Sequence, residues 1–186
     1  MTPFAESPSV EAGLLERAIG YTLGSLRLVT PAAMARPTPC REWDLSALLR
    51  HMDDSLAALH EAVEGGFVSL EAAQPVDDPV LSLRNRACRL LGAWTNGSRR
   101  VVSVADRMLA SVVVGQAGAL EIAVHGWDVA SACGADRPIP AALAEELLRL
   151  ALAIVTEDDR PGRFGPPVAV RAPGGPAELL LAFLGR

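Results

Sequence analysis

Glu121-Ile-Ala-Val-His-Gly-Trp-Asp128 lies within a run from Ala117 to Ala130 that is otherwise almost wholly apolar. A helix turns about 100° per residue, so Glu121 and His125 fall about 40° apart and Asp128 returns to within about 20° of Glu121. Three polar groups therefore share one stripe. The other faces carry Leu120, Ile122, Ala123, Val124, Trp127 and Val129, so the segment reads as a helix buried nearly all round. A carboxylate placed there costs several kcal/mol unless a cation or good hydrogen bonds compensate it. Glu-x-x-x-His on one helix offers a divalent metal two ligands. The same spacing also describes a Glu-His hydrogen-bonded pair or a structural ion pair, and this segment alone leaves both readings open.

Outward from this helix, apolar spacing marks the others. Ser7 caps a first helix with Pro8 at its first position. That helix runs to about Val29, with Leu15, Ile19, Thr22, Leu26 and Val29 in steps of four and three. Gly20 and Gly24 each cost it about 1 kcal/mol relative to Ala, and they read as points of close approach by a neighbouring helix. The proline-rich stretch Arg36-Pro-Thr-Pro-Cys-Arg-Glu-Trp-Asp44 is a rigid loop ending on an N-cap. A second helix spans Leu45 to about Glu64 and stops at Gly65-Gly66. His51 shares a stripe there with Leu48, Ser55 and Ala62, whereas His60 lies about 180° around the cylinder, so the two cannot hold one metal together. Taken alone, His51 reads as a satisfied core histidine.

Phe67 to Asp78 reads as a loop, and a third helix covers about Val80 to Trp94, with Arg84, Arg86 and Arg89 mostly on its solvated side. Gly97 to Val114 reads as an extended loop, although Val101-Val-Ser-Val104 is strand-like. The helix of the opening motif then runs from about Val113 to Gly134, and a fifth from about Ala141 to Val155. Beyond Glu157 the chain is too rich in breakers for regular structure until Ala177 to Leu184, which is apolar enough to dock as a short helix.

Half of the 186 residues are hydrophobic, but no uninterrupted apolar run reaches membrane-spanning length and no signal peptide opens the chain, so a soluble cytoplasmic protein is expected. The net charge of -5 is spread along the chain without a basic block, which argues against nucleic acid and membrane partners. All 17 basic residues are Arg, so chemistry that needs a lysine amine is excluded, Schiff-base catalysis and a Walker-type phosphate loop among it. Cys40, Cys88 and Cys133 fit neither a disulfide framework nor a zinc ribbon and read as small buried hydrophobes.

A helical bundle brings these pieces together: His51 from the second helix, Glu121 and His125 from the fourth, facing one interior. Such a His-Glu-His set leaves one tetrahedral position open, as catalytic rather than structural zinc sites do. Two imidazoles and a carboxylate also suit Ni or Fe.

Thr38-Pro-Cys-Arg-Glu-Trp-Asp-Leu-Ser-Ala-Leu-Leu-Arg-His51 and Glu121-Ile-Ala-Val-His-Gly-Trp-Asp-Val-Ala130 resemble the two signature segments of the mycothiol-dependent maleylpyruvate isomerase N-terminal domain family. The resemblance implies an all-α fold, a DinB-like four-helix bundle over residues 1–158, followed by an irregular tail with a short terminal helix over 159–186. It also implies that His51, Glu121 and His125 hold zinc, that mycothiol is the thiol cosubstrate, and that the chain pairs as a homodimer. The function expected is that of a thiol-dependent transferase or isomerase acting on a small electrophile. The alternatives are a non-catalytic bundle that binds a metal or small molecule, and a helical module without metal in which the Glu-His pair is structural. Asp128 reads equally as a partner orienting His125 and as a brace to the proline-rich loop or to an Arg. Trp43 and Trp127 read as packing, and Cys40 lies near enough to the second helix to approach the site.

Overall fold

A computed structural model describes residues 9–40, 42–69, 77–97, 99–160, 162–170 and 174–186. The described helices are α1 (Ser9–Leu26), α2 (Leu45–Glu64), α3 (Pro79–Asn96), α4 (Ser111–Ala132), α5 (Ala141–Ile154) and α6 (Pro176–Phe183). α1 packs on α4, α4 on α2 and α2 on α3, and α3 closes the ring on α1. This is the expected four-helix bundle. α5 lies outside it against α4, and α6 docks on α5. No described helix is long and apolar enough to cross a membrane.

The bundle interior is filled by the apolar stripes read from the sequence: Leu15 and Ile19 of α1, Leu48, Leu49 and Met52 of α2, Leu83 and Leu90 of α3, and Leu120, Ile122 and Val124 of α4. Helix ends follow local chemistry. Asp44 accepts a hydrogen bond from the Ala47 N–H at 2.7 Å, and Asp78 accepts one from Leu81 at 2.9 Å, each satisfying a free amide of the first turn. Gly66 (φ 76°) and Gly134 (φ 76°) take the left-handed conformation just beyond α2 and α4.

Several expectations are corrected. The proposed Ser7 cap and Pro8 lie outside the described residues. α1 ends at Leu26 rather than Val29, because Leu28 and Val29 turn back onto the Ser25 and Leu26 carbonyls ahead of Thr30-Pro31. The stretch before α4 is a hairpin rather than a loop: β2 (Val101–Val104) pairs antiparallel with β3 (Arg107–Ala110), and β1 (Phe67–Val68) adds in parallel. α4 accordingly starts at Ser111. Arg86 turns inward, with Nε and Nη2 3.0 and 3.1 Å from the carboxylate of buried Asp53 on α2. No cysteine is fully buried, since Cys88 is exposed and Cys40 and Cys133 are half-buried; all three are free.

Close helix approach comes from α4 rather than from the glycines of α1. A Cβ at Gly20 would meet nothing within 4 Å, and one at Gly24 would collide with the Arg137 guanidinium, not with a helix. On α4, by contrast, Gly118 receives the Leu59 side chain and Gly126 lies against Thr22, whose Cα is 3.1 Å from where a Cβ would stand. That approach lets Thr22 Oγ1 donate 2.7 Å to the Ile122 carbonyl, tying α1 to the turn that follows Glu121.

The tail is fastened to the rest of the protein at several points. Arg160 donates to the Gly165 and Phe183 carbonyls at 3.0 and 3.1 Å, Val168 N–H donates to Ala182, and Leu180 and Leu184 are buried. Backbone approaches backbone where Gly185 (φ 77°) crosses Gly165, with no room for a Cβ between them.

These contacts set opposite signs for two glycine substitutions. Gly20→Ala is expected to stabilise by about 0.5–1 kcal/mol through helix propensity alone. Gly126→Ala is expected to destabilise by about 1–3 kcal/mol through forced separation of α1 from α4. Urea unfolding of the two variants beside the parent measures both.

Candidate metal centre

The Asp44 cap and the periodicity of α2 turn His51 inward, and α4 turns Glu121, His125 and Asp128 toward it. His51 Nε2 lies 2.5 Å from Glu121 Oε1, and His125 Nε2 lies 3.5 Å from the same oxygen. The two imidazoles meet edge to face with centroids 5.1 Å apart. Ser55 Oγ, one turn beyond His51, donates 3.2 Å to Glu121 Oε1. One ligand atom from each of His51, Glu121 and His125 falls within 4.8 Å of the others, the three residues the sequence singled out. His60 is separate, 3.6 Å from Glu64 on the opposite side of α2.

Behind His125 lies a second layer. His125 Nδ1 is 2.9 Å from Asp128 Oδ2. A carboxylate only accepts, so Nδ1 carries a proton, and Nε2 is the nitrogen turned to Glu121 and His51. Asp128 is fully buried, and the guanidinium of Arg186 answers its charge with Nε 3.0 Å from Oδ1 and Nη2 3.1 Å from Oδ2. Cys40 Sγ donates 3.4 Å to Asp128 Oδ2, lies 3.9 Å from His125 Nδ1, and receives Arg186 Nη2 at 2.9 Å. Cys40, His125 and Asp128 thus form a second convergent donor group, but its centre already carries the Arg186 cation. Asp128 therefore fills both roles left open for it, orienting His125 and bracing an Arg. The Arg was not foreseeable: it is 58 residues along the chain, beyond a breaker-rich stretch with no periodicity to place it.

Trp43 packs against the core and also sets its ring 4.5 Å from that of His51 and 6.1 Å from that of His125. The site opens into a cleft of about 820 Å3. Its floor is His51, Glu121 and His125; α4 contributes Leu120 and Val124 to its wall, and the tail contributes Phe164 and Val168.

The donor set fits a divalent ion. Two imidazole nitrogens and a carboxylate oxygen from two helices face one another, both nitrogens are Nε2, and the His125 ring is held from behind by Asp128. Charges within the group are strongly coupled. Burial pushes the Glu121 carboxyl up, but hydrogen bonds from His125 and His51 outweigh it and hold Glu121 far below the usual carboxylate range. Burial opposes protonation of His125, and the bonds to Asp128, Cys40 and Glu121 overcome this, holding it well above an ordinary histidine. Burial raises Asp128 too, yet the His125 bond and the Arg186 charge bring it below its ordinary value.

In metal-free protein the lowered carboxylates contribute stability that is complete above the unfolded pKa, about 4, and is lost as pH falls through their folded values. The raised His125 contributes stability that is complete below about pH 6.5 and is lost as pH rises through its folded value. The stability difference between the parent and Asp128→Asn is therefore expected to be largest between about pH 4 and 6.5 and to shrink on either side. Urea unfolding of both metal-free proteins across pH tests this.

Two uncharacterized proteins from Mycobacterium tuberculosis, one from each of two strains, are each 30% identical to this chain over 165 residues, covering 81% of this chain and 83% of the relative. The family model described as the mycothiol maleylpyruvate isomerase N-terminal domain matches residues 15–130, a span that includes His51, Glu121, His125 and Asp128. The helical bundle, the two motif segments and the sequence match agree, and the chain belongs to the mycothiol maleylpyruvate isomerase N-terminal domain family.

Proposed function

We propose that His51, Glu121 and His125 hold a divalent metal, zinc by the donor set, and that the protein is a mycothiol-dependent transferase or isomerase acting on a small electrophile. The observation that carries this reading is the convergence of two Nε2 atoms and Glu121 Oε1 at the floor of an open cleft. Three protein ligands would leave an ion held there a further position for water or substrate, as catalytic sites require. A divalent ion in this position stabilises a thiolate over a thiol at neutral pH, which supplies a strong nucleophile.

The chain's own residues do the rest. Asp128 keeps the His125 proton on Nδ1 and so keeps Nε2 available. Ser55 holds Glu121 in place, and Trp43 restrains the His51 ring. Leu120, Val124, Phe164 and Val168 give the cleft an apolar wall on which the body of an electrophile can rest while its reactive bond faces the floor. Addition of a thiolate sulfur to an activated double bond, then bond rotation and expulsion of the same thiolate, gives isomerisation; retention of the sulfur, with uptake of a proton from water at the neighbouring carbon, gives conjugation. The family relationship supports mycothiol as the thiol. We place the protein in the cytoplasm, and pairing of two copies as a homodimer is part of the same reading.

Elemental analysis of the purified protein is expected to find about one zinc per chain, with nickel or iron as the competing ions for this donor set. His51→Ala and His125→Ala are each expected to lose it. Absence of stoichiometric metal, or metal content unchanged in both variants, overturns the reading. Mycothiol added to the metallated protein is expected to quench Trp43 fluorescence and to form an adduct with a model electrophile. Metal binding with no adduct across a broad electrophile panel leaves a sequestering bundle in place of an enzyme.

A further inference from the structure

Arg186 lies outside the matched segment, yet its side chain is only 6% exposed and its guanidinium sits directly behind the site. It meets Asp128 at two points, Nε to Oδ1 and Nη2 to Oδ2, at 3.0 and 3.1 Å. Asp128 Oδ2 in turn holds His125 Nδ1. Burying an ion pair is a poor way to fasten a tail, because apolar groups of similar size fasten it as well or better. This tail has such fastenings already, in buried Leu180 and Leu184 and in the Arg160 bonds to the Gly165 and Phe183 carbonyls. The backbone is also shaped to deliver the guanidinium: the Gly185 Cα faces Gly165 so closely that a Cβ on Gly185 would stand 2.5 Å from the Gly165 Cα.

We propose that Arg186 is a positioning residue of the metal centre: its two-point contact fixes the Asp128 carboxylate, and through it the orientation of the His125 ring and the proton on its Nδ1. The tail thereby completes a site whose other members all lie between residues 15 and 130. The metal readout of this proposal rests on the function proposed above; the positioning itself does not.

The test compares Arg186→Gln, Arg186→Lys and, as a control that loosens the tail without touching Asp128, Arg160→Gln. Zinc affinity is measured by competition with a chromophoric chelator, and the His125 ring by 15N NMR of the metal-free protein. Arg186→Gln is expected to weaken zinc binding about ten- to a hundred-fold, the usual effect of losing an outer partner of a ligand, and to move the His125 ring resonances. Arg186→Lys keeps the charge without the two-point contact and is expected to fall between; Arg160→Gln, which retains the guanidinium on Asp128, is expected to change both readouts less than Arg186→Gln. In an Asp128→Asn background, Arg186→Gln is expected to add little, because both act through one path. Parent-like zinc affinity together with unmoved His125 resonances in Arg186→Gln overturns the proposal, and Arg186→Lys decides by the same criteria if the Gln variant does not fold. If the parent takes up no zinc, the metal reading fails while the His125 resonances still decide: a larger shift in Arg186→Gln than in Arg160→Gln supports the positioning role, and an equal shift in both or none in Arg186→Gln overturns it.

Discussion

Charge placed on an apolar helix has to be answered, and α4 carries three such groups in two turns with almost nothing else polar near them. Each is answered from a different part of the chain. Glu121 is met by His51 and Ser55 of α2, and Asp128 by Arg186 of the tail and Cys40 of the proline-rich loop. His125 stands between, one ring nitrogen turned to each carboxylate. The cost of leaving any of these groups unpaired exceeds what a single apolar contact returns, so the stripe registers α2, the loop and the tail against α4. The rest of the bundle is arranged around that registration, with Gly118 and Gly126 allowing α2 and α1 to come close enough to make it.

The same arrangement separates roles along one helix. On the side of His125 facing α2 stand the half-buried donors of His51 and Glu121; the side facing the tail is sealed and carries the Arg186–Asp128 ion pair. A proton held on the sealed side makes Nε2, on the open side, the nitrogen a metal would take in place of a proton, which is how outer partners usually prepare a histidine for a metal. The cleft itself is mixed: a polar floor from α2 and α4, and an apolar wall shared by α4 and the tail.

Much of this was legible in the residues. The period of α2 and the i, i+4 spacing of Glu121 and His125 are local properties, so His51, Glu121 and His125 could be placed on one interior before any coordinates. Family resemblance supplied the bundle topology that local spacing does not encode. What escaped was set by long-range contact. Nothing local to Arg186 marks it as part of the site before the Gly165–Gly185 crossing is known. The β2–β3 hairpin turns through Ala105, at φ 51°, and Asp106, without the glycine or asparagine that usually marks such a turn. Gly20 and Gly24 resemble a helix-contact pair, but their neighbours decide otherwise: one faces open space and the other the Arg137 guanidinium.

Anomalous diffraction from crystals of the protein as purified, recorded above and below the zinc absorption edge, tests the central claim most directly. The account predicts one peak per chain bounded by His51 Nε2, Glu121 and His125 Nε2, with Arg186 still on Asp128 behind it. A peak between Cys40 and Asp128 in place of the Arg186 guanidinium, or imidazoles of His51 and His125 turned apart with no peak between them, would contradict it.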